Sequence, residues 1–399
     1  MKALCWEGIN KLKVENVPDP QIRDPRDAII RVKLSSACGS DLHIIDGLIP
    51  TVRHGEILGH EFIGEVVEIG KDVRKLKKGD RVAVAAIIGC GGCYFCQHDQ
   101  WPLCDNANPA DVPNAPQAFQ EKVLGQEVGG VYGYTYALGG FTGSHAEYIR
   151  VPFADHGAFV LPDEISDEQA VLLTDAAPTG YTGASLCDIR PGDTVVVWGC
   201  GGVGQMAIQS ANLLGAERVI AIDRVPERLQ MARDYGHAET LNYEQVDIPG
   251  ALLEMTGGRG PDACIDAVGM EGHGTGISYA YDRVKQALRM ETDRAQALRQ
   301  AIHCCAKGGR LSVVGVYGLA DKFPFGVLMH KSLTLKASGA YAQKYIPTLI
   351  DLVRQGKLDP SYILTHTMSL EEGPHGYSLF KEKKEGCVRV AFDPQREAA

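Results

Sequence analysis

Four cysteines, Cys90, Cys93, Cys96 and Cys104, stand as C-x-x-C-x-x-C-x7-C in a lobe that also carries Gly89, Gly91 and Gly92. Thiolates at these intervals can close round one tetrahedral ion, and zinc held by four sulfurs keeps no open position for a substrate. Three cysteines so spaced also open a ferredoxin-type run, but that run expects its fourth cysteine after three residues and then proline, and this sequence has neither. The lobe therefore reads as a structural zinc site. A second set is dispersed: Cys38 in SSACGSDLH and His60 in ILGHEFIGEVVEIGKDV. Taken singly, a buried cysteine is a small hydrophobe, and a histidine ahead of a strand is an ordinary hydrogen-bonded side chain. Their neighbours change the reading. Ser40 and His43 put a hydroxyl and an imidazole beside Cys38, and Glu61 follows His60, where it can tune or briefly replace a ligand.

The third constellation is VVVWGCGGVG, with Gly199, Gly201 and Gly204 in G-x-G-x-x-G and Gly202 and Val203 completing the turn. An apolar strand precedes it and a helical run follows, the context in which such glycines let a pyrophosphate reach the backbone at a helix N-terminus. Nineteen residues after Gly204, at the end of ERVIAID, Asp223 can accept hydrogen bonds from the adenosine ribose hydroxyls. This favours NAD. Arg224 and Arg228 are the counter-signal, since a guanidinium here can hold a 2′-phosphate, and Arg228 is counted among the cofactor contacts.

These motifs need two different scaffolds. The first third of the chain is rich in short β-branched runs separated by glycine, such as AIIRVKLSSACGS and KKGDRVAVAAIIGC, which predict a strand-dominated domain. From about Gly192 the texture becomes buried strand, helix, buried strand, as an open parallel α/β sheet requires. In SYAYDRVKQALRMETDRAQALRQAIHCCAKGG, an expected insertion, Val284, Leu288, Ala295, Leu298 and Ile302 suit an amphipathic helix. The tail after about Gly339 is too short to stand alone and is expected to complete the first domain. A length of 399 residues, 45% hydrophobic, accommodates both cores. A net charge of −10 gives no reason to bind nucleic acid or an anionic membrane, so the expected partners are small molecules. The N-terminal stretch carries charge throughout and no apolar signal core, and with twelve cysteines this predicts reduced thiols in the cytoplasm.

The sequence resembles the zinc-containing medium-chain dehydrogenase/reductase family, the alcohol dehydrogenases. GHEFIGEVVEIGKDV reproduces that family's GHE-x2-G-x5-G-x2-V signature, and the order of Cys38, signature, cysteine lobe and nucleotide turn follows it over nearly the whole chain. The resemblance implies a GroES-like, mainly β catalytic domain over 1–177 and 341–399, a Rossmann domain over 178–340, and an active site in the cleft. In LLTDAAPTGYTGA, which looks like the family's interdomain hinge, Asp175 occupies the place where many members carry a third zinc-ligating cysteine. With CGSDLH, the long segment after Cys104, PTGY and the insertion, this is most similar to the glutathione-independent formaldehyde dehydrogenase and dismutase branch, which uses aspartate there. In that branch the insertion is associated with covering the adenine end of a retained NAD.

The resemblance thus implies a catalytic zinc on Cys38, His60 and Asp175. It also implies cofactor contacts from Gly39, Ser40, His43, Thr179, Val268 and Val316, and an oligomer, taken as a tetramer. A Lewis acid lowers the pKa of an alcohol or aldehyde hydrate, so that a hydride can pass to nicotinamide. Ser40 would take the proton and hand it, through a ribose hydroxyl, to His43 near solvent. Three rivals stay open: a secondary-alcohol or polyol dehydrogenase, a zinc hydrolase with Glu61 as base, and a zinc-stabilised NADH-sensing interaction protein.

Overall fold

The computed structural model describes residues 1–49, 51–108, 128–270, 272, 294–318 and 322–396. The chain divides into two compact units, Met1–Pro178 with Ala340–Ala399, and Thr179–Gly339. Pro178 and Ala340 therefore both belong to the first unit, each one residue from the junctions expected from sequence.

The first unit is built on a seven-stranded sheet whose centre is the antiparallel pair Ala28–Ser36 and Glu61–Ile69. The hydrophobic run AIIRVKLSS gives the first of these strands its buried face, with Ala28, Ile30 and Val32 packed in one core with Phe62, Val66 and Val84. Ser36 pairs with Glu61, so Cys38 and His60, just beyond these paired residues, emerge at the same end of neighbouring strands. The C-terminal tail completes this sheet: Val390–Asp393 lies antiparallel to Ala28–Ser36 and parallel to His366–Ser369, to which helix Gly373–Glu382 connects it.

The second unit is a six-stranded, all-parallel sheet. Its order runs Glu239–Asn242, Arg218–Asp223, Thr194–Trp198, Ala263–Asp266, Arg310–Val313, Thr334–Ala337, or 3-2-1-4-5-6 counted along the chain. That is the Rossmann order. Its central strands read as unbroken apolar runs because both faces are covered. Val196, Trp198, Ile220 and Ile222 pack into one core, while Val195, Val197, Val219 and Ala221 pack into another.

Leu298 and Ile302 are buried on helix Gln296–Cys304, with Ala295 as its N-cap. The other two residues of the expected amphipathic stretch, Val284 and Leu288, lie outside the described residues, as does most of the insertion. Among the described residues no helix is long and apolar enough to cross a membrane.

Candidate active site

Cys38 is the N-cap of a seven-residue helix, Gly39–Ile45, and its extended backbone (φ −117°, ψ 157°) turns the chain from strand into helix. The Asp41 carboxylate reaches back to accept the Cys38 N–H at 2.8 Å. His60 stands immediately before its strand. Asp175 stands immediately before helix Ala176–Leu186, in a segment tied to the first unit by the Ala86 N–H donating to the Thr174 carbonyl at 3.1 Å. One ligand atom from each of Cys38, His60, Glu61 and Asp175 lies within 4.8 Å of the others.

The two nitrogens of His60 face different partners. Nε2 is 3.9 Å from Asp175 Oδ2 and 3.4 Å from Ser40 Oγ, while Nδ1 lies 3.4 Å from Asp41 Oδ1. Nε2 is thus the nitrogen offered to the donor cluster. Burial pushes the His60 imidazole down, but the acids Asp41 and Cys38 outweigh it and hold its pKa well above the usual histidine value. Glu61 is engaged elsewhere: both carboxylate oxygens accept from Arg389 Nη1, which also donates to the Ala37 carbonyl at 3.1 Å. Burial pushes the Glu61 carboxyl up to about 7 against the pull of Arg389. A thiol and two carboxyls gathered beside one imidazole with a single guanidinium among them are short of positive charge, and a divalent cation corrects that. The donor set fits zinc, with thiolate, imidazole and carboxylate all among its usual ligands.

His43 corrects an expectation. It is only 4% exposed, because Asp41, Leu42, His43, Ile44 and Ile45 of its helix are all buried, so the imidazole does not sit near solvent.

The cysteine lobe is the other donor cluster. Cys90, Cys93, Cys96 and Cys104 also offer sulfurs within 4.8 Å of one another. Nitrogen donors converge on them: the Cys90 N–H on Cys104 Sγ at 3.2 Å, the Asn106 N–H on Cys104 Sγ at 3.4 Å, and Asn106 Nδ2 on Cys90 Sγ at 3.2 Å. The Cys104 thiol is pushed down to about 5, first by the Cys96 thiol and then, against burial, by these backbone donors. Such donors favour thiolate over thiol, the form that binds metal.

In the second unit Gly201 caps helix Gly202–Leu213, and Gly199 adopts φ +89°. A Cβ on Gly204 would stand 1.8 Å from the Gly199 carbonyl oxygen, so only glycine lets helix and strand approach this closely. Asp223 ends its strand; Oδ2 accepts the Cys200 N–H at 2.7 Å, and Oδ1 accepts those of Arg224 and Val225 at 2.6 and 3.0 Å. Arg228 Nη1 lies 3.7 Å from the position a Gly201 Cβ would take, and Val268 Cγ2 2.8 Å from that of Gly199, placing both side chains at the turn. Val316 is more open, at 38% exposure, and its carbonyl accepts the Met270 N–H. Thr179 is buried on helix Ala176–Leu186, the first residue of its unit.

Residues 24–163 match the alcohol dehydrogenase GroES-like domain, and residues 202–290 match zinc-binding dehydrogenase. The chain is 37% identical, over 99% of its length and all of the relative's, to an uncharacterised zinc-type alcohol dehydrogenase-like protein of Bacillus subtilis. The chain belongs to the zinc-dependent alcohol dehydrogenase family. A glutathione-independent formaldehyde dehydrogenase of Bacillus subtilis is 32% identical over 98% of this chain and 97% of its own. Among solved structures, an alcohol dehydrogenase of Thermus sp. ATN1 superposes with a TM-score of 0.84 at 34% identity, covering 99% of this chain and 100% of that one. As a zinc-dependent alcohol dehydrogenase, the protein is an oxidoreductase with a nicotinamide dinucleotide as redox partner and a GroES-like unit joined to a Rossmann unit.

Two residues that shape the site of this zinc-dependent alcohol dehydrogenase, Asp41 and Arg389, were not singled out from the sequence. Asp41 carried a signal, since an acid three residues after an N-cap is the capping-box position. Arg389 carried a weaker one, a lone charge inside the apolar run CVRVAF that has to find a buried partner.

Proposed function

We propose that this enzyme oxidises a small alcohol, or the hydrate of a small aldehyde of the formaldehyde type, with NAD, and that a retained cofactor lets the same site dismutate aldehyde. The observation that carries the reading is an aspartate, Asp175, standing with Cys38 and His60 where a thiolate is common. The 32% identity to a formaldehyde dehydrogenase over nearly the whole chain supports it. In this reading Cys38, His60 and Asp175 hold the catalytic zinc, Glu61 waits against Arg389, and Cys90, Cys93, Cys96 and Cys104 hold the structural ion.

Zinc supplies Lewis acidity toward an alcohol oxygen, and nicotinamide supplies a two-electron hydride acceptor. The protein's own groups orient and move the proton. Ser40 Oγ lies 3.4 Å from His60 Nε2; in this reading it takes a proton from a substrate hydroxyl, and His43 receives that proton further along the route. Because His43 is buried, it serves as a relay and not as the outlet. In this reading Gly199, Gly201, Gly202, Val203 and Gly204 would hold the pyrophosphate, Asp223 and Arg228 the adenosine ribose, Thr179, Val268 and Val316 the nicotinamide end, and Gly39 would also contribute to cofactor binding. Asp223 favours NAD over NADP, because its carboxylate repels a 2′-phosphate. The domain division follows the two compact units, and we place the enzyme in the cytoplasm as a homo-tetramer, which light scattering checks.

A second reading, an alcohol dehydrogenase that releases its cofactor every cycle, is supported by the 34% identity to the Thermus alcohol dehydrogenase. One experiment separates them. The purified protein is assayed for metal content and for absorbance in the reduced-nicotinamide band, which is then followed with formaldehyde, ethanol, isopropanol and sorbitol. Co-purified cofactor with turnover of formaldehyde supports the first reading. Cofactor-free protein that prefers isopropanol or sorbitol overturns it.

A further inference from the structure

Behind His60, on the side of Nδ1, lies a file of buried polar groups that supply no atom to the donor cluster. Ser144 Oγ is 2.8 Å from Ser35 Oγ, Ser35 Oγ 2.7 Å from His145 Nδ1, His145 Nε2 2.7 Å from Tyr377 Oη, and Tyr377 Oη 2.7 Å from Asp41 Oδ2. All five residues are at most 3% exposed. They come from a strand, a loop, the first helix and the C-terminal helix, with 336 residues separating Asp41 from Tyr377. A buried hydroxyl or imidazole is costly unless satisfied, and each of these groups satisfies the next.

Hydrogen-bond chemistry gives the file one direction. Asp41 Oδ2 already accepts the Cys38 N–H, and a carboxylate only accepts, so Tyr377 must donate to it. With its proton spent, Tyr377 Oη accepts from His145 Nε2–H. Burial keeps that imidazole neutral, pushed down to about 4, so its Nδ1 is an acceptor for the Ser35 hydroxyl. Ser35 in turn accepts from Ser144. The second oxygen of Asp41 faces His60 Nδ1 at 3.4 Å, and neither of those atoms has a hydrogen-bond partner elsewhere among the described residues. The signature glycine is part of the arrangement: Gly59 holds φ +95°, and a Cβ there would stand 2.5 Å from His145 Nδ1.

We propose that Tyr377 and His145 are positioning residues for the zinc ligand His60: a one-way hydrogen-bond chain running Ser144, Ser35, His145, Tyr377, Asp41 fixes the Asp41 carboxylate so that His60 keeps its proton on Nδ1 and presents Nε2 to the metal. The proposal rests on the reading of Cys38, His60 and Asp175 as a zinc site. Partners one shell out from a metal ligand commonly change metal affinity by about 10–100-fold when removed, and Tyr377, one step further back, belongs at the lower end.

The test uses the full-length, zinc-loaded enzyme and follows zinc loss to a chromogenic chelator in the wild type, Tyr377→Phe, His145→Gln and His145→Leu, with thermal midpoints alongside. Asp175→Ala identifies which phase of release belongs to this site, and the cysteine lobe serves as internal reference. Tyr377→Phe is expected to shed the Asp175-dependent zinc about tenfold faster while the lobe's zinc leaves at the wild-type rate. His145→Gln, whose amide can accept from Ser35 and donate to Tyr377, is expected to stay near wild type, and His145→Leu to behave like Tyr377→Phe. Unchanged release in Tyr377→Phe, equal acceleration of both phases, or a His145→Gln no better than His145→Leu overturns the positioning role while leaving the zinc site standing. Wild-type protein that holds only the lobe's zinc overturns the zinc-site reading and this proposal with it.

Discussion

The two donor clusters are solved by opposite means. The cysteine lobe draws all its ligands from Cys90 to Cys104 and quiets their charge with nearby nitrogens, the backbone amides of Cys90, Gly92 and Asn106 and the side chain of Asn106. The other cluster gathers Cys38, His60, Glu61 and Asp175 from separate elements and leans on Arg389 and Tyr377, which arrive more than 200 residues later. A local loop can be closed at small entropic cost, so the lobe needs little but its own spacing. A dispersed set is held only as firmly as the sheet and the buried pairs behind it. The first design suits an ion that braces; the second leaves room for a ligand position whose neighbours can be tuned.

Each half of this contrast can be broken. Asp175→Ala strikes the dispersed set directly and is expected to cut kcat/KM for the aldehyde or alcohol by about three orders of magnitude or more, while cofactor fluorescence still reports binding. Full turnover with metal in place would remove Asp175 from the ligand set. Arg389→Met leaves the Glu61 carboxyl buried without its cation, and the expected loss in a denaturant titration is about 3–5 kcal/mol. Pairing it with Glu61→Gln should recover most of that; no recovery would mean Arg389 acts by packing alone. Cys96→Ser should lower the thermal midpoint before it touches kcat per catalytic zinc, at about 2–4 °C for each kcal/mol lost. Asn106→Ala is the mildest, removing one donor from Cys90 Sγ for about 1 kcal/mol. If Asn106→Ala slowed turnover as much as it lowered stability, the separation between bracing and reacting sites would not hold.

The same contrast explains what could be read from the residues. The C-x-x-C-x-x-C-x7-C spacing and the glycine turn at Gly199 to Gly204 are local, and the structure places each as a local unit. The parallel sheet was legible because strands such as TVVVW are apolar on both faces, and the tail's return to the first unit because it was too short to stand alone. The dispersed set needed the resemblance to bring in Asp175, since no interval along the chain ties it to Cys38. Tyr377 and His145 stayed hidden for a stronger reason: an isolated tyrosine in a helix and an isolated histidine in a loop have no pattern, and only the fold makes them neighbours. His43 was misjudged because its place near solvent came only from the resemblance, whereas five consecutive residues of its helix, Asp41 to Ile45, are buried.

The pairing of Val390–Asp393 with Ala28–Ser36 sets a timetable for biosynthesis. Arg389 and Tyr377 leave the ribosome after the entire Rossmann unit, which is contiguous and can fold as it emerges. The cysteine lobe can take its ion early, while the dispersed ligands wait, unpropped, until Tyr377 and Arg389 have been made. Metal loading at the two sites is therefore expected to be sequential, and a nascent chain arrested before Tyr377 should carry one zinc and not two.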